Sequence, residues 1–376
     1  MLLLTAGCVL ATGQAFAAAK PVRIGVTTIL SGPYADRGQS EQYGVELALQ
    51  QINQAGGVLG RPVEAFYADN ADDTAKGLAA AKRLIEQQRV PVLIGALATP
   101  VTRAIMPVAN AAKVPLVIDI SAGHEFVDAA GSGGYSYVFK TSPSDVDVAA
   151  GMMQWLKGKR VGSVAIVADD NAFNLANAAS MAQAAAAAGI KVLSSDVVAK
   201  GTTDLSGLLG KIGAAHPDRI VTVLGPSSGL FFKAYEQDAA HIPLAGRIDF
   251  SAVKASLSPQ FLAAGGLDQA AGVSVYTPAL DTPAVRAFAM AYEDKYGLAP
   301  TQRSLLGFEA ARLVVDAIRR AKSDDPAAIE RALKSTKMPS LLGGTFAMDA
   351  HNHAHTGMQI LGWRGNGVAV LERIGA

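Results

Sequence analysis

Val22-Arg-Ile-Gly-Val-Thr-Thr-Ile-Leu30, Ser31-Gly-Pro-Tyr-Ala-Asp-Arg-Gly38 and Val45-Glu-Leu-Ala-Leu-Gln-Gln-Ile52, closed by Gly56-Gly57, decide the fold. The first segment is short, β-branched and almost wholly apolar, which suits a strand buried on both faces of a parallel sheet. Ser31-Gly32-Pro33 neither continues a strand nor sits inside a helix, so the chain turns there. Val45, Ala48, Leu49 and Ile52 then recur at i, i+3, i+4 and i+7, one face of an amphipathic helix. Glycine at 56 and 57 ends it, because glycine accepts the left-handed conformation beyond a helix C-terminus. Strand, loop and covering helix make half of a βαβ unit. Ligands of such sheets bind in the crevice at the carboxyl ends of the strands, so the loop Ser31–Gly38 is the first candidate wall of a site.

Working outward, 376 residues suffice for two ordinary domains. Half of them are apolar and 17% are charged, so a sizeable core can be buried. A net charge of +1 without charged runs offers nothing to nucleic acid. Only the amino terminus carries a long apolar run, Leu2–Ala11, followed by the A-x-A pattern Ala15-Phe16-Ala17. Residues 1–17 are therefore expected to be a secretory signal peptide and the mature protein to be periplasmic. Thr5-Ala6-Gly7-Cys8 resembles a lipoprotein box only loosely, and the A-x-A site is favoured over a lipid anchor at Cys8. Cys8 is the single cysteine, so no disulfide is expected.

Beyond the first unit, strand-like and helix-like segments alternate. Val63–Ala68, Pro91–Gly95, Pro115–Ile118, Val161–Val167, Ile190–Val198, Ile220–Leu224 and Ala271–Tyr276 read as strands. Thr74–Gln88, the helix opened by Thr99-Pro100, Ser144–Lys157, Leu175–Ala188, Leu205–Ala215, Leu230–Ala240, Leu257–Ala264, Ala284–Tyr296, Leu305–Lys322 and Ala327–Leu333 read as helices. Met358–Trp363 and Val368–Arg373 read as a hairpin turning at Asn366-Gly367. The βα pattern runs twice, which predicts two doubly wound lobes.

Ile29-Leu-Ser-Gly-Pro33, Gly44-Val-Glu-Leu-Ala48, Ile52-Asn-Gln-Ala-Gly-Gly57, Val92-Leu-Ile-Gly95, Val114-Pro-Leu-Val117 and Val164-Ala-Ile-Val-Ala-Asp169 follow in an order and spacing that carry a resemblance. Over Val22–Arg373 the chain resembles periplasmic substrate-binding proteins of ABC importers, of the leucine/isoleucine/valine-binding type. The resemblance implies a type I periplasmic binding protein: two α/β lobes, three crossovers and a cleft that closes over the ligand. It places the crossovers near Lys140–Ser142, Val275–Pro278 and Gly343–Phe346. Lobe 1 is then residues 20–140 with 278–343, and lobe 2 residues 142–274 with 346–376.

The resemblance also implies the site. Thr99 stands where the family uses a hydroxyl on the ligand carboxylate, beside Ala98; the residues alone allow it to be only the helix N-cap. Ser121, Ala122 and Gly123 match the second carboxylate-binding turn, although Ser121 equally suits an ordinary turn. Phe173 replaces a frequent tyrosine and alternatively packs in the core. Gly225 and Pro226 line the second lobe's turn. Asp249 lies close to the family's acidic partner for an ammonium group, or is a surface carboxylate. Arg37, in the first loop, offers a planar fork to a carboxylate, or points to solvent or pairs with Asp36 or Glu41. The expected ligand is a branched-chain or other amino acid, or alternatively an aromatic or 2-oxo acid. The expected partners are ABC permease subunits, with a monomeric protein, no cofactor and no metal.

Two motifs suggest other chemistry. Gly225-Pro-Ser-Ser-Gly229 matches G-x-S-x-G, which would make Ser227 the nucleophile of a hydrolase, but no oxyanion-hole stretch accompanies it. His351, His353 and His355 alternate as zinc or copper ligands would on a strand, yet Asp349 and Gly357 bracket them as a solvated turn. No GxGxxG or P-loop occurs, so nucleotide binding has no support.

Overall fold

The computed structural model describes residues 20–375 except 366. The expected signal segment, Cys8 and Asn366 lie outside the described residues. β1 (Val22–Thr28) is buried nearly throughout, as its composition requires. Parallel partners flank it on both sides: β2 (Val63–Asp69) and β3 (Leu93–Gly95), then β4 (Leu116–Ile118) and β5 (Val138–Lys140), in the order β2-β1-β3-β4-β5. On one face pack α1 (Ala35–Gln54), α11 (Pro283–Tyr296), α12 (Gln302–Ala321) and α13 (Pro326–Lys334). On the other lie α2 (Thr74–Lys82), α3 (Thr99–Ala111) and the short α4 (Glu125–Ala129). The helix expected to run to Gln88 stops at Lys82 and finishes in a π-helical turn, Arg83–Gln87.

The second lobe repeats the plan. Its seven strands run β14-β13-β10-β9-β8-β6-β7, with β6 (Ser163–Asp169), β7 (Lys191–Val198), β8 (Arg219–Val223), β9 (Leu244–Arg247) and β10 (Ala271–Ser274) parallel. The hairpin β13 (Met358–Arg364) and β14 (Gly367–Ile374) is added antiparallel, as Asn366-Gly367 foretells. α5 (Asp145–Gly158) and α6 (Ala172–Ala188) cover one face. α7 (Ser206–Ala215), α8 (Ser228–Gln237), α9 (Phe250–Ser256) and α10 (Pro259–Ala263) cover the other. Polar residues before apolar runs set the helix starts: Ser144 with Asp147 forms a reciprocal capping box on α5, and Thr301 with Ser304 one on α12.

The chain leaves the first sheet after Lys140 and returns after Ser274. The third passage lies beyond Gly343–Phe346. That segment pairs within the first lobe as β11 (Lys337–Pro339) against β12 (Thr345–Ala347), and Phe346 and Ala354 are both buried in the first lobe's core. His353 still bridges to Lys140 beside β5, and the chain enters the second sheet only at Met358.

α1 and α12 make the closest helix contact of the first lobe because glycine lets their backbones meet. A Cβ on Gly44 would stand 1.9 Å from the Ser304 carbonyl oxygen, and one on Gly307 2.7 Å from that of Glu41. Gly44→Ala should therefore cost about 1–3 kcal/mol of stability, despite alanine's better helix propensity. Denaturant unfolding reads this directly; an unchanged midpoint would show that the two helices separate freely.

Candidate ligand site

The carboxyl ends of both sheets carry the candidate residues. In the first lobe, α3 begins at Thr99, but the N-cap is Ala98 and no side chain caps the helix. Thr99 is thus the first helical residue rather than the cap. Its hydroxyl is half-buried and makes no hydrogen bond among the described residues. The N–H groups of Ala98 and Thr99 on this loop, and of Ala122 and Gly123 on the next, have no backbone acceptor. Free N–H groups at the carboxyl ends of strands, one pair at a helix N-terminus, suit a carboxylate. Ser121 does not contribute its hydroxyl. It is buried and bonds the Thr102 hydroxyl at 2.7 Å and the carbonyls of Ala96 and Leu97 at 2.9 and 3.0 Å. It fastens the two loops to each other, so the turn offers a ligand backbone only. Arg37 is exposed on the first turn of α1 and stacks over Tyr34 at 4.4 Å, pairing with neither Asp36 nor Glu41.

In the second lobe Phe173 is on the surface, 42% exposed, and not in the core. The N-cap Asn171, which accepts from the Asn174 N–H, holds it on the first turn of α6. Arg247 ends β9 beneath it, with its guanidinium 5.4 Å from the ring centre and one N–H donated to the Asn177 side-chain oxygen. Burial pulls its pKa down to about 10, against the opposing pull of Asp145, so it is charged at neutral pH. It forms no ion pair among the described residues. Asp249 lies two residues on, exposed, and its charge acts on Arg303 at the start of α12 in the first lobe.

The sequence reading passed over Arg247, although an arginine between the buried glycine and isoleucine of Gly246-Arg247-Ile248 is a visible signal. It also passed over a group of buried charged residues at the ends of β4 and β5. Lys140 is fully buried, its ammonium donating to the Ser121 carbonyl at 2.6 Å and the Ser142 hydroxyl at 2.9 Å; burial lowers its pKa to about 8. Nearby, Glu41 and Asp119 are two wholly buried carboxyl groups in mutual hydrogen-bonding reach. Burial, and then the neighbouring Asp119, raises Glu41 well above the carboxylate range; burial raises Asp119 to about 7.

Gly225 and Pro226 form the turn after β8, tied down by Asp169, whose carboxylate accepts from the Gly225 N–H at 2.7 Å and from the Ser227 hydroxyl. Ser227 sits at φ −84° and ψ 0°, an unstrained helix N-cap rather than an exposed elbow, and its hydroxyl partner is an acid, not a histidine. The histidine segment is not a solvated turn. Asn352 and His353 are buried, and Asn352 bonds the carbonyls of Ser136 and Val138 at 3.1 and 3.0 Å.

Residues 21–367 match the family model described as periplasmic binding protein. The chain is 25% identical over 353 residues to Leu/Ile/Val-binding protein homolog 7 of Brucella suis biovar 1 (strain 1330), covering 89% of this chain and 87% of the relative. Among solved structures it is similar to an R. palustris ABC-transporter solute-binding protein in complex with benzoate, with TM-score 0.77, 20% identity, and coverage of 94% and 96%. It is similar also to the branched-chain amino acid transporter substrate-binding protein LivJ of Streptococcus pneumoniae in complex with isoleucine, with TM-score 0.78, 21% identity, and coverage of 95% and 100%. The fold is the type I periplasmic binding protein fold, and the chain belongs to the periplasmic binding protein family.

Proposed function

We propose that the protein is the extracytoplasmic solute-binding component of an ABC importer, exported by the signal in residues 1–17. It captures a small carboxylate-bearing solute between its lobes, presents the closed form to permease subunits as a monomer, and catalyses no reaction. The observation that carries this is the half-buried, charged Arg247 without an ion pair among the described residues, opposite a first lobe whose loops offer unpaired N–H groups. A carboxylate held first on the N–H groups of Ala98, Thr99, Ala122 and Gly123 meets Arg247 when the lobes close. That contact exists only in the closed form, which is what a ligand must supply to shift a hinge equilibrium.

Phe173 over the Arg247 guanidinium gives the ligand's body an aromatic wall, which favours an aromatic or 2-oxo acid lacking an ammonium group. The relative bound to benzoate supports this reading and the one bound to isoleucine supports the amino acid. The amino-acid reading rests on Asp249 as partner for an ammonium. A thermal-shift screen of benzoate, phenylpyruvate, leucine and isoleucine separates the two, since a ligand at a hundred times its Kd adds about 2.7 kcal/mol of stability. The expected result is a shift with the aromatic acids. A shift with leucine alone, abolished in Asp249→Ala and preserved in Arg37→Ala, would establish the amino acid and remove Arg37 from the site. Ester substrates should show no turnover; turnover lost in Ser227→Ala would make the protein a hydrolase.

A further inference from the structure

The first and third crossings meet helix α5 beside a cavity of about 190 Å³, whose lining includes Asp147, Gly151, His355, Thr356 and Met358. We propose that this is a binding site for a divalent first-row transition metal, zinc above all, with Asp147, His353 and His355 as its ligands.

The three residues each offer one ligand atom within 4.8 Å of the other two. Tetrahedral zinc holds nitrogen and oxygen at about 2.0–2.1 Å, which sets its ligand atoms roughly 3.4 Å apart. Asp147 Oδ2 and His353 Nε2 already stand 3.6 Å apart, and the two imidazole rings 4.6 Å between centres. His355 is the exposed member of the set. The supporting contacts resemble those that orient metal ligands. The Asp147 carboxylate is fixed by the Ser144 N–H and hydroxyl, both at 2.7 Å. Asp349 accepts from the His353 backbone at 3.0 Å and holds His355 Nε2 at 3.1 Å, which leaves His355 Nδ1 for the metal. His353 Nε2 lies 3.1 Å from the Ser142 carbonyl. On binding, the ring carries its proton on Nδ1 and turns the Nε2 lone pair to the metal.

A second observation points into the same space. Thr356 is only 2% exposed, its hydroxyl has no hydrogen-bond partner among the described residues, and it lines the cavity. Three protein ligands leave zinc a fourth position, and a water there would meet that hydroxyl. Lys140 lies close to the same carboxylate and weakens the site electrostatically, but its ammonium is spent on Ser121 and Ser142. The metal would join a second-lobe helix to the third crossing, whose backbone is bonded to Lys140 through Asn352 and Ala354 at 2.9 Å each. It would therefore bear on the hinge.

Calorimetric titration of the metal-stripped full chain with zinc chloride should show one zinc per chain, and cobalt should give the visible bands of a tetrahedral site. His355→Ala should weaken zinc binding about tenfold or more, and His355→Cys, which keeps a zinc ligand, should restore it. His351→Ala should change nothing, because that ring is bonded to the Val127 carbonyl outside the cluster. Absence of zinc binding, or equal affinity in His355→Ala and the unaltered protein, would overturn the proposal.

Discussion

Arg247→Met should weaken binding of the carboxylate ligand by about thirtyfold to a few thousandfold, the roughly 2–5 kcal/mol lost when one partner of a buried charge pair is removed. The free protein should fold as well as before or better, since methionine fills the stem's volume and relieves a partly desolvated cation. Arg247→Lys should recover little, because an ammonium neither stacks on Phe173 nor forks onto a carboxylate. Calorimetry with benzoate and leucine, beside a melting curve of each variant, measures both effects. An affinity indifferent to Arg247 in a folded variant would leave the carboxylate to the first lobe's N–H groups alone.

Glu41→Gln should make the protein more stable at about pH 8, by about 1–3 kcal/mol, while changing little at about pH 4. Glu41 and Asp119 are wholly buried together, and Glu41 Oε1 finds no hydrogen-bond donor among the described residues. Asp119 is raised from 3.8 to about 7 and Glu41 well above 4.5, so the folded state keeps protons that the unfolded chain releases. The sign follows. The pair's contribution is fully present below the unfolded pKa values and is lost as pH rises through about 7. Glutamine still accepts from the Thr28 hydroxyl, which bonds Glu41 Oε2 at 2.6 Å, and donates its amide to Asp119. Lys140 and Arg303 act on the same pair and remain in both proteins, so the difference between variant and parent isolates the carboxyl groups. Parallel stability curves across pH would mean that the two acids ionise normally and that water reaches them.

The fold was legible because its signals are periodic. Val22–Thr28 is short, β-branched and carries a single charge, a composition that suits a strand covered by helices on both sides. Ser144 announces a helix by capping chemistry that needs no tertiary context, whereas the helix read from Leu305 begins at Gln302, capped by Thr301. What escaped was short or held from outside. β9 has four residues and a glycine at φ +114°, too brief for alternation to register, and β11 and β12 have three residues each. Where the candidate loops lie on the sheets was legible, but the contacts their side chains make were not. The loops after β3, β4 and β6 were rightly singled out as lying at the strands' carboxyl ends. Yet Ser121 proved a fastener between loops, and Arg247 went unread, because hydrogen bonding and burial between residues far apart in sequence decide which polar side chain is free. The same holds for His353, buried against a crossing that sequence patterning cannot place.

Small-angle X-ray scattering, without ligand and at saturation with the compound that calorimetry shows to bind, tests the central claim most directly. Two lobes closing on a carboxylate predict a smaller radius of gyration with ligand, and no such change in Arg247→Met at the same concentration. An unchanged radius in the parent protein at proven saturation would contradict capture by closure of the cleft.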